Sequence, residues 1–91
     1  MSATIELRHA EGRDDIAACF ATMKELRPML VSEDELVERV GRQAKAGYRI
    51  LAAWQGPAVV GLAGYRTLEN LINGVFIYVD DLVVSSAIRS Q

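Results

Sequence analysis

The chain predicts an α+β fold: an antiparallel four-stranded sheet with two helices packed against it, in the order β-α-α-β-β-β. Three observations carry this. Residues alternate or run apolar near the start and through most of the second half, as strands do. Between them lie two stretches with apolar residues at helical spacing. Gln55-Gly56-Pro57 and Asn73-Gly74 then punctuate the second half into hairpins.

Thr4 to Arg8 alternates with period two, a short strand with Ile5 and Leu7 expected to face inward. Ile16, Phe20, Met23 and Leu26 fall on one face of the first helix, with Cys19 beside them. Asp14 and Asp15 suit its positive N-terminal end, and Pro28 ends it because the residue before proline avoids the α region. The second helix starts at Ser32-Glu33-Asp34-Glu35, a capping box with Ser32 as N-cap and Glu35 reaching back. Val31 and Leu36 are placed as the flanking hydrophobic staple. Leu36, Val37, Val40 and Ala44 form its apolar stripe, and Gly47 is placed to end it in the left-handed region.

Tyr48 to Trp54 and Ala58 to Thr67 read as two strands joined at the Gly56-Pro57 turn, and Val75 to Val84 as the longest strand. Gly61 and Gly64 lie inside the middle strand, where a glycine marks a bulge or a close approach. Alternation along the last strand places Val75, Ile77 and Val79 on one face and Phe76 and Tyr78 on the other.

The 91 residues allow one domain, 1–91, with a modest core. Apolar residues make up 51% and charged residues 24%, a balance that excludes disorder. A net charge of −2, with acids interspersed among the basic residues, gives no footprint for nucleic acid or an anionic membrane. Cys19 is the only cysteine, so no intrachain disulfide is possible, and a cytoplasmic location is expected. Nothing approaches the length of a membrane span, and no ligand spacing for a metal occurs. Cys19 and His9 lack evident partners and read as a packing residue and a surface residue.

The chain closes on Asp81-Leu82-Val83-Val84, the break Ser85-Ser86-Ala87-Ile88, then Arg89-Ser90-Gln91. This resembles the GNAT acetyltransferase family, whose members carry Asp-Leu-Val-Val, a few loop residues, then Arg/Gln-x-x-Gly-x-Gly/Ala opening a helix. Arg89 stands where that motif's first residue belongs, and the chain stops before its first glycine. The element order is similar to the opening part of the family domain. The resemblance implies a truncated GNAT-like domain, the N-terminal part of an acetyl-CoA-dependent N-acetyltransferase, inactive alone.

The resemblance also assigns roles. Leu82, Val83 and Val84 would bind the pantetheine arm of acetyl-CoA through backbone groups, as an added strand does. Arg89, Ser90 and Gln91 would begin the loop that holds the pyrophosphate. Asp80 and Asp81 lie where the family often carries an acidic residue that deprotonates the acceptor amine, and strict alternation lets only one face the cleft. Arg27 and Met29 occupy the segment that shapes the acceptor site in the family; an ordinary loop is the other reading. Tyr65 and Tyr78 are candidates for the acceptor pocket or half-buried strand residues. The partners expected are a small-molecule or peptide amine and a second copy of the chain. The rival reading is a non-catalytic association module that dimerises through the exposed strand 75–84.

Overall fold

The computed structural model describes residues 4–89, with the side chain of Arg89 excepted. The elements run β1 (Ile5–His9), α1 (Gly12–Ala18), α2 (Phe20–Leu26), α3 (Glu33–Ala44), β2 (Tyr48–Gln55), β3 (Ala58–Asn70), β4 (Gly74–Val84) and α4 (Ser86–Arg89). The sheet is antiparallel throughout with strand order β1-β2-β3-β4. The α+β architecture expected from the periodicities is therefore the one found.

The expected first helix is divided at Cys19. Its amide donates to the Ile16 carbonyl at 3.0 Å, a tightened turn, while its own carbonyl accepts from Met23 at 2.9 Å. α1 and α2 thus form one bent helix, and the bend lets Ile16 and Met23 both enter the core. Arg27, ahead of Pro28, leaves the helical region at φ −122° and ψ 75°.

α3 starts as its sequence dictates. The Ser32 hydroxyl accepts from the Glu35 amide at 3.1 Å, and the Glu35 carboxylate returns to the Val31 amide at 2.7 Å. The staple does not form: Leu36 is buried, but Val31 is 79% exposed. Gly47 ends the connection to β2 at φ 91°, where a side chain would be strained.

The helices cover one face of the sheet. Tyr48, Ile50, Ala52 and Trp54 of β2, Leu62 of β3 and Val83 of β4 pack there with Ile16, Met23, Leu36 and Val40. Thr22 satisfies its buried hydroxyl by donating to the Val59 carbonyl at 2.7 Å. The opposite face carries Leu7-Ala53-Gly61-Val84 and His9-Leu51-Ala63-Leu82 as registered rows, with Val79, Ile77 and Val75 beyond. Among the described residues nothing covers it, and Leu7 and Leu82 are 68% and 70% exposed. This corrects the inward placement of Ile5 and Leu7. Alternation was read correctly, but it is Glu6 and Arg8 that share the face of Trp54, where the Arg8 guanidinium sits 4.0 Å from the Trp54 ring centroid.

Two bulges interrupt the pairing. Ala53 faces Gly61 while Trp54 faces Val59, leaving Val60 unpaired. Gly64 faces Asp81 while Tyr65 faces Val79, leaving Asp80 as the extra residue in β4. Among the described residues β4 pairs only with β3, so its outer edge is open.

Candidate active site

The β4 bulge decides where the paired carboxylates go. Strict alternation would send Asp80 and Asp81 to opposite faces, but an extra residue breaks that alternation. Both carboxylates reach partners on the helix-covered face. Asp81 accepts from the Tyr48 hydroxyl at 2.7 Å and from Arg27 Nε at 2.9 Å. Asp80 accepts a bidentate pair from Arg66, at 2.8 and 3.0 Å, and Arg66 is the register partner of Tyr48. Arg27 also donates to the Asp80 carbonyl at 3.0 Å, so the end of α2 is tied to the bulge itself.

Tyr48 is the buried member of this cluster, at 4% exposure. Burial, then the hydrogen bond to Asp81, push its phenol far above the ordinary range, so it stays a donor. Asp80, as hydrogen-bond partner, raises the already basic Arg66 further. Gly64 makes the arrangement possible. A Cβ there would lie 1.9 Å from the Tyr48 hydroxyl and 2.9 Å from Asp81 Oδ2. The glycine is required by the approach of a side chain, a cause beyond the bulge and backbone readings of its position. Gly61 differs: its Cβ would meet the Val83 carbonyl at 3.4 Å, ordinary contact.

Beside the cluster lies a cavity of about 210 Å³, lined by Asp81, Tyr48, Arg27 and Met29 with Leu36 and Arg39. Arg27 and Met29 thus stand with Asp81 around one opening. Tyr65 does not join them. It lies on the uncovered face, where its hydroxyl is 2.6 Å from His9 Nε2. His9, expected without a partner, has one there. Tyr78 is on the covered side under the Arg66 guanidinium, 5.3 Å from its ring centroid, and does not line the cavity.

Of the residues expected to meet acetyl-CoA, Val83 is buried toward the helices, while Leu82 and Val84 point to the open face. Their strand has the free edge that backbone recognition requires. Arg89 ends α4; Ser90 and Gln91 lie outside the described residues. The Ser86 amide is taken by the Glu25 carboxylate at 2.8 Å. Cys19 is fully buried, and burial followed by the Asp15 charge pushes its thiol up to about 12, the surroundings of a packing residue. Among the described residues no group of three His, Cys, Asp or Glu is placed to hold a metal ion. No described helix is long and apolar enough to cross a membrane.

Sequence reading missed Tyr48, Arg66 and the tie from Arg27. Tyr48 opens a strand and reads as an ordinary core aromatic. Its role appears only when β2, β3 and β4 are in register.

No protein-family model matches the chain, and no curated protein matches it. Solved structures do. A Trypanosoma brucei acetyltransferase superposes with a TM-score of 0.75 at 21% identity, over 96% of this chain and 64% of its own. A Staphylococcus aureus GNAT family acetyltransferase gives 0.79 at 14% identity, over 97% and 67%. A predicted acetyltransferase with acetyl-CoA from Clostridium acetobutylicum gives 0.69 at 15% identity, over 97% and 64%. The class is therefore defined by fold: this chain has the GNAT acetyltransferase fold. The chain spans about two thirds of the length of these structures.

Proposed function

We propose that the chain supplies the acceptor side and the strand edge of an acetyl-CoA-dependent N-acetyltransferase, and that it is inactive alone. The observation that carries this reading is the Asp80–Asp81 bulge, with Tyr48 and Arg27 around the cavity beside it. In the proposed reaction the acceptor ammonium enters this cavity and exchanges with Arg27 at Asp81. Asp80 or Asp81, directly or through water, takes its proton. The free amine attacks the thioester carbonyl, a C–N bond forms, the C–S bond breaks, and the thiolate leaves to be protonated. The open edge of β4 at Leu82–Val84 hydrogen-bonds the amides of the pantetheine arm. A small-molecule or peptide amine is the acceptor, with no role for nucleic acid or membrane, and a cytoplasmic setting suits the free buried Cys19.

Acetyl-CoA titrated into the labelled chain tests this reading. If the chain is insufficient alone, as proposed, calorimetry should detect nothing tighter than roughly millimolar. Amide shifts at millimolar acetyl-CoA should centre on Leu82, Val83 and Val84. Micromolar affinity would overturn the incompleteness, and shifts confined elsewhere would overturn the strand-edge site.

A second reading is favoured by one observation: β4 presents an open edge and an uncovered apolar face together. On that reading the chain is an association module. We propose in either case that it forms a homo-oligomer, two β4 strands pairing antiparallel across a two-fold axis.

A further inference from the structure

Tyr48 stands between two cavities. The larger, of about 510 Å³ between α1, α3 and β2, has both its arginines paired, Arg49 with Glu11 and Arg13 with Asp34. The smaller, beside Asp81, already holds a cation of the protein's own. Arg27 Nε donates to Asp81 Oδ1 at 2.9 Å, and Arg27 Nη2 donates to the Asp80 carbonyl at 3.0 Å. A carboxylate oxygen and the carbonyl of the bulge residue thus converge on one cationic group. A primary ammonium, with three N–H donors on one nitrogen, meets the same two acceptors.

Arg27 is the exchangeable member of this contact. The Asp81 side chain is 12% exposed and fixed from behind by the Tyr48 hydroxyl, so without a cation it would be a poorly hydrated, unpaired charge. The Arg27 side chain is 44% exposed and regains water when it swings out. Its backbone already lies outside the helical region at the end of α2, so the swing does not unwind the helix. Replacing one cation by another at Asp81 therefore costs far less than leaving the carboxylate bare. The walls then select the cation. Met23, Leu30 and Leu36 are buried apolar side chains, and Met29 stands exposed at the mouth. Among the described residues lining the cavity Asp81 is the only acid, and Glu35 of α3 is taken by the Val31 amide and Arg39. A second ammonium would find no free carboxylate there, whereas an apolar chain gains by burial.

We propose that Arg27 is a self-inhibitory gate whose guanidinium holds the place of the acceptor's ammonium, and that the acceptor is a small primary monoamine with a short apolar chain. Its nitrogen donates to Asp81 Oδ1 and the Asp80 carbonyl, its chain lies among Met23, Leu30 and Leu36, and Arg27 turns outward. The Asp80 carboxylate stays with Arg66. The gate presupposes that this cavity is the acceptor side, as proposed above, but its test uses no acetyl-CoA. Missing shifts at Leu82–Val84 would overturn the cofactor site alone, and missing amine binding would overturn the gate alone.

The probe is butylammonium chloride near neutral pH and at constant ionic strength, with putrescine, butyltrimethylammonium and 1-butanol as controls. Followed by nuclear magnetic resonance, butylammonium should bind the parent chain saturably and more tightly than any of the three controls. The Arg27 Nε–H resonance should move toward that of a free guanidinium along the same binding curve. Arg27→Gln, which removes the competing cation, should bind butylammonium about tenfold more tightly than the parent. A merely structural ion pair predicts the reverse, a destabilised chain with no gain in affinity. If Arg27→Gln does not fold, the Arg27 resonance in the parent decides the matter: saturable movement supports the gate, and an unmoved signal defeats it. Absence of saturable butylammonium binding, an affinity in folded Arg27→Gln no higher than the parent's, or equal or tighter binding of any control would each overturn the proposal.

Discussion

The Tyr48 hydroxyl donates to Asp81 at 2.7 Å across the whole width of β3, and it does so over Gly64, which has no side chain to block it. Three strands meet in that contact. It joins the most buried polar group of the cluster to the carboxylate beside the smaller cavity.

Gly64→Ala tests this arrangement by its sign. Alanine ordinarily favours a strand interior over glycine. Here the new Cβ would fall 1.9 Å from the Tyr48 hydroxyl and 2.6 Å from its Cζ, so the ring must move out of a packed core. The expected cost is about 2 kcal/mol. Urea unfolding measures it, and an unchanged or raised stability would show that Tyr48 does not lie over Gly64.

Tyr48→Phe removes the donor and leaves Asp81 with Arg27 alone. A hydrogen bond to a charged, partly buried acceptor contributes about 1.5 kcal/mol. That loss should appear in the urea midpoint without a change in slope. A neutral effect would mean that water replaces the phenol at no cost.

Alkaline pH should destabilise the chain. The folded state holds the Cys19 thiol up at about 12 from its ordinary 9.0, and the Tyr48 phenol well above its ordinary 10.0. A raised value means that the folded state keeps a proton the unfolded state releases. The stabilisation is therefore whole below about pH 9 and is lost as pH rises past each unfolded value. Urea midpoints at neutral pH and in steps above pH 9 should fall, and Tyr48→Phe should flatten the part of the fall that begins near pH 10. A midpoint rising across this range would contradict the burial of both groups.

Ser32→Ala should cost about 1 kcal/mol, because the first turn of α3 loses the hydroxyl that accepts from Glu35. The thermal midpoint reads this directly. No shift would mean that the Glu35 carboxylate at Val31 suffices to cap the helix.

Light scattering tests the proposed assembly. The parent chain should run larger than a monomer at high micromolar concentration. Val79→Lys, which places a charge on the open face, and Phe76→Lys, on the same strand, should shift it toward monomer. A monodisperse parent monomer with an ordered β4 would defeat the idea.

What the sequence determined by itself is what local chemistry controls. The cap at Ser32, the left-handed exit at Gly47, the end of α2 ahead of Pro28 and the hairpin turns each depend on a few adjacent residues, and each is found. The family resemblance carried by Asp81-Leu82-Val83-Val84 likewise named the fold. The tertiary structure alone decided which face of the sheet the helices would cover, and so left Ile5 and Leu7 outside. It alone inserted Asp80 as an extra residue opposite Gly64 and Tyr65, turning both carboxylates to one side. The bond from Tyr48 to Asp81 spans 33 positions and the pair from Arg27 to Asp81 spans 54. Periodicity reports the two faces of a strand but not their cover or their register with another strand. Those follow from packing the whole chain at once, which is why Asp80, Asp81, Arg27 and Met29 stood out as candidates in the sequence while Tyr48, Arg66 and the geometry that gathers them did not.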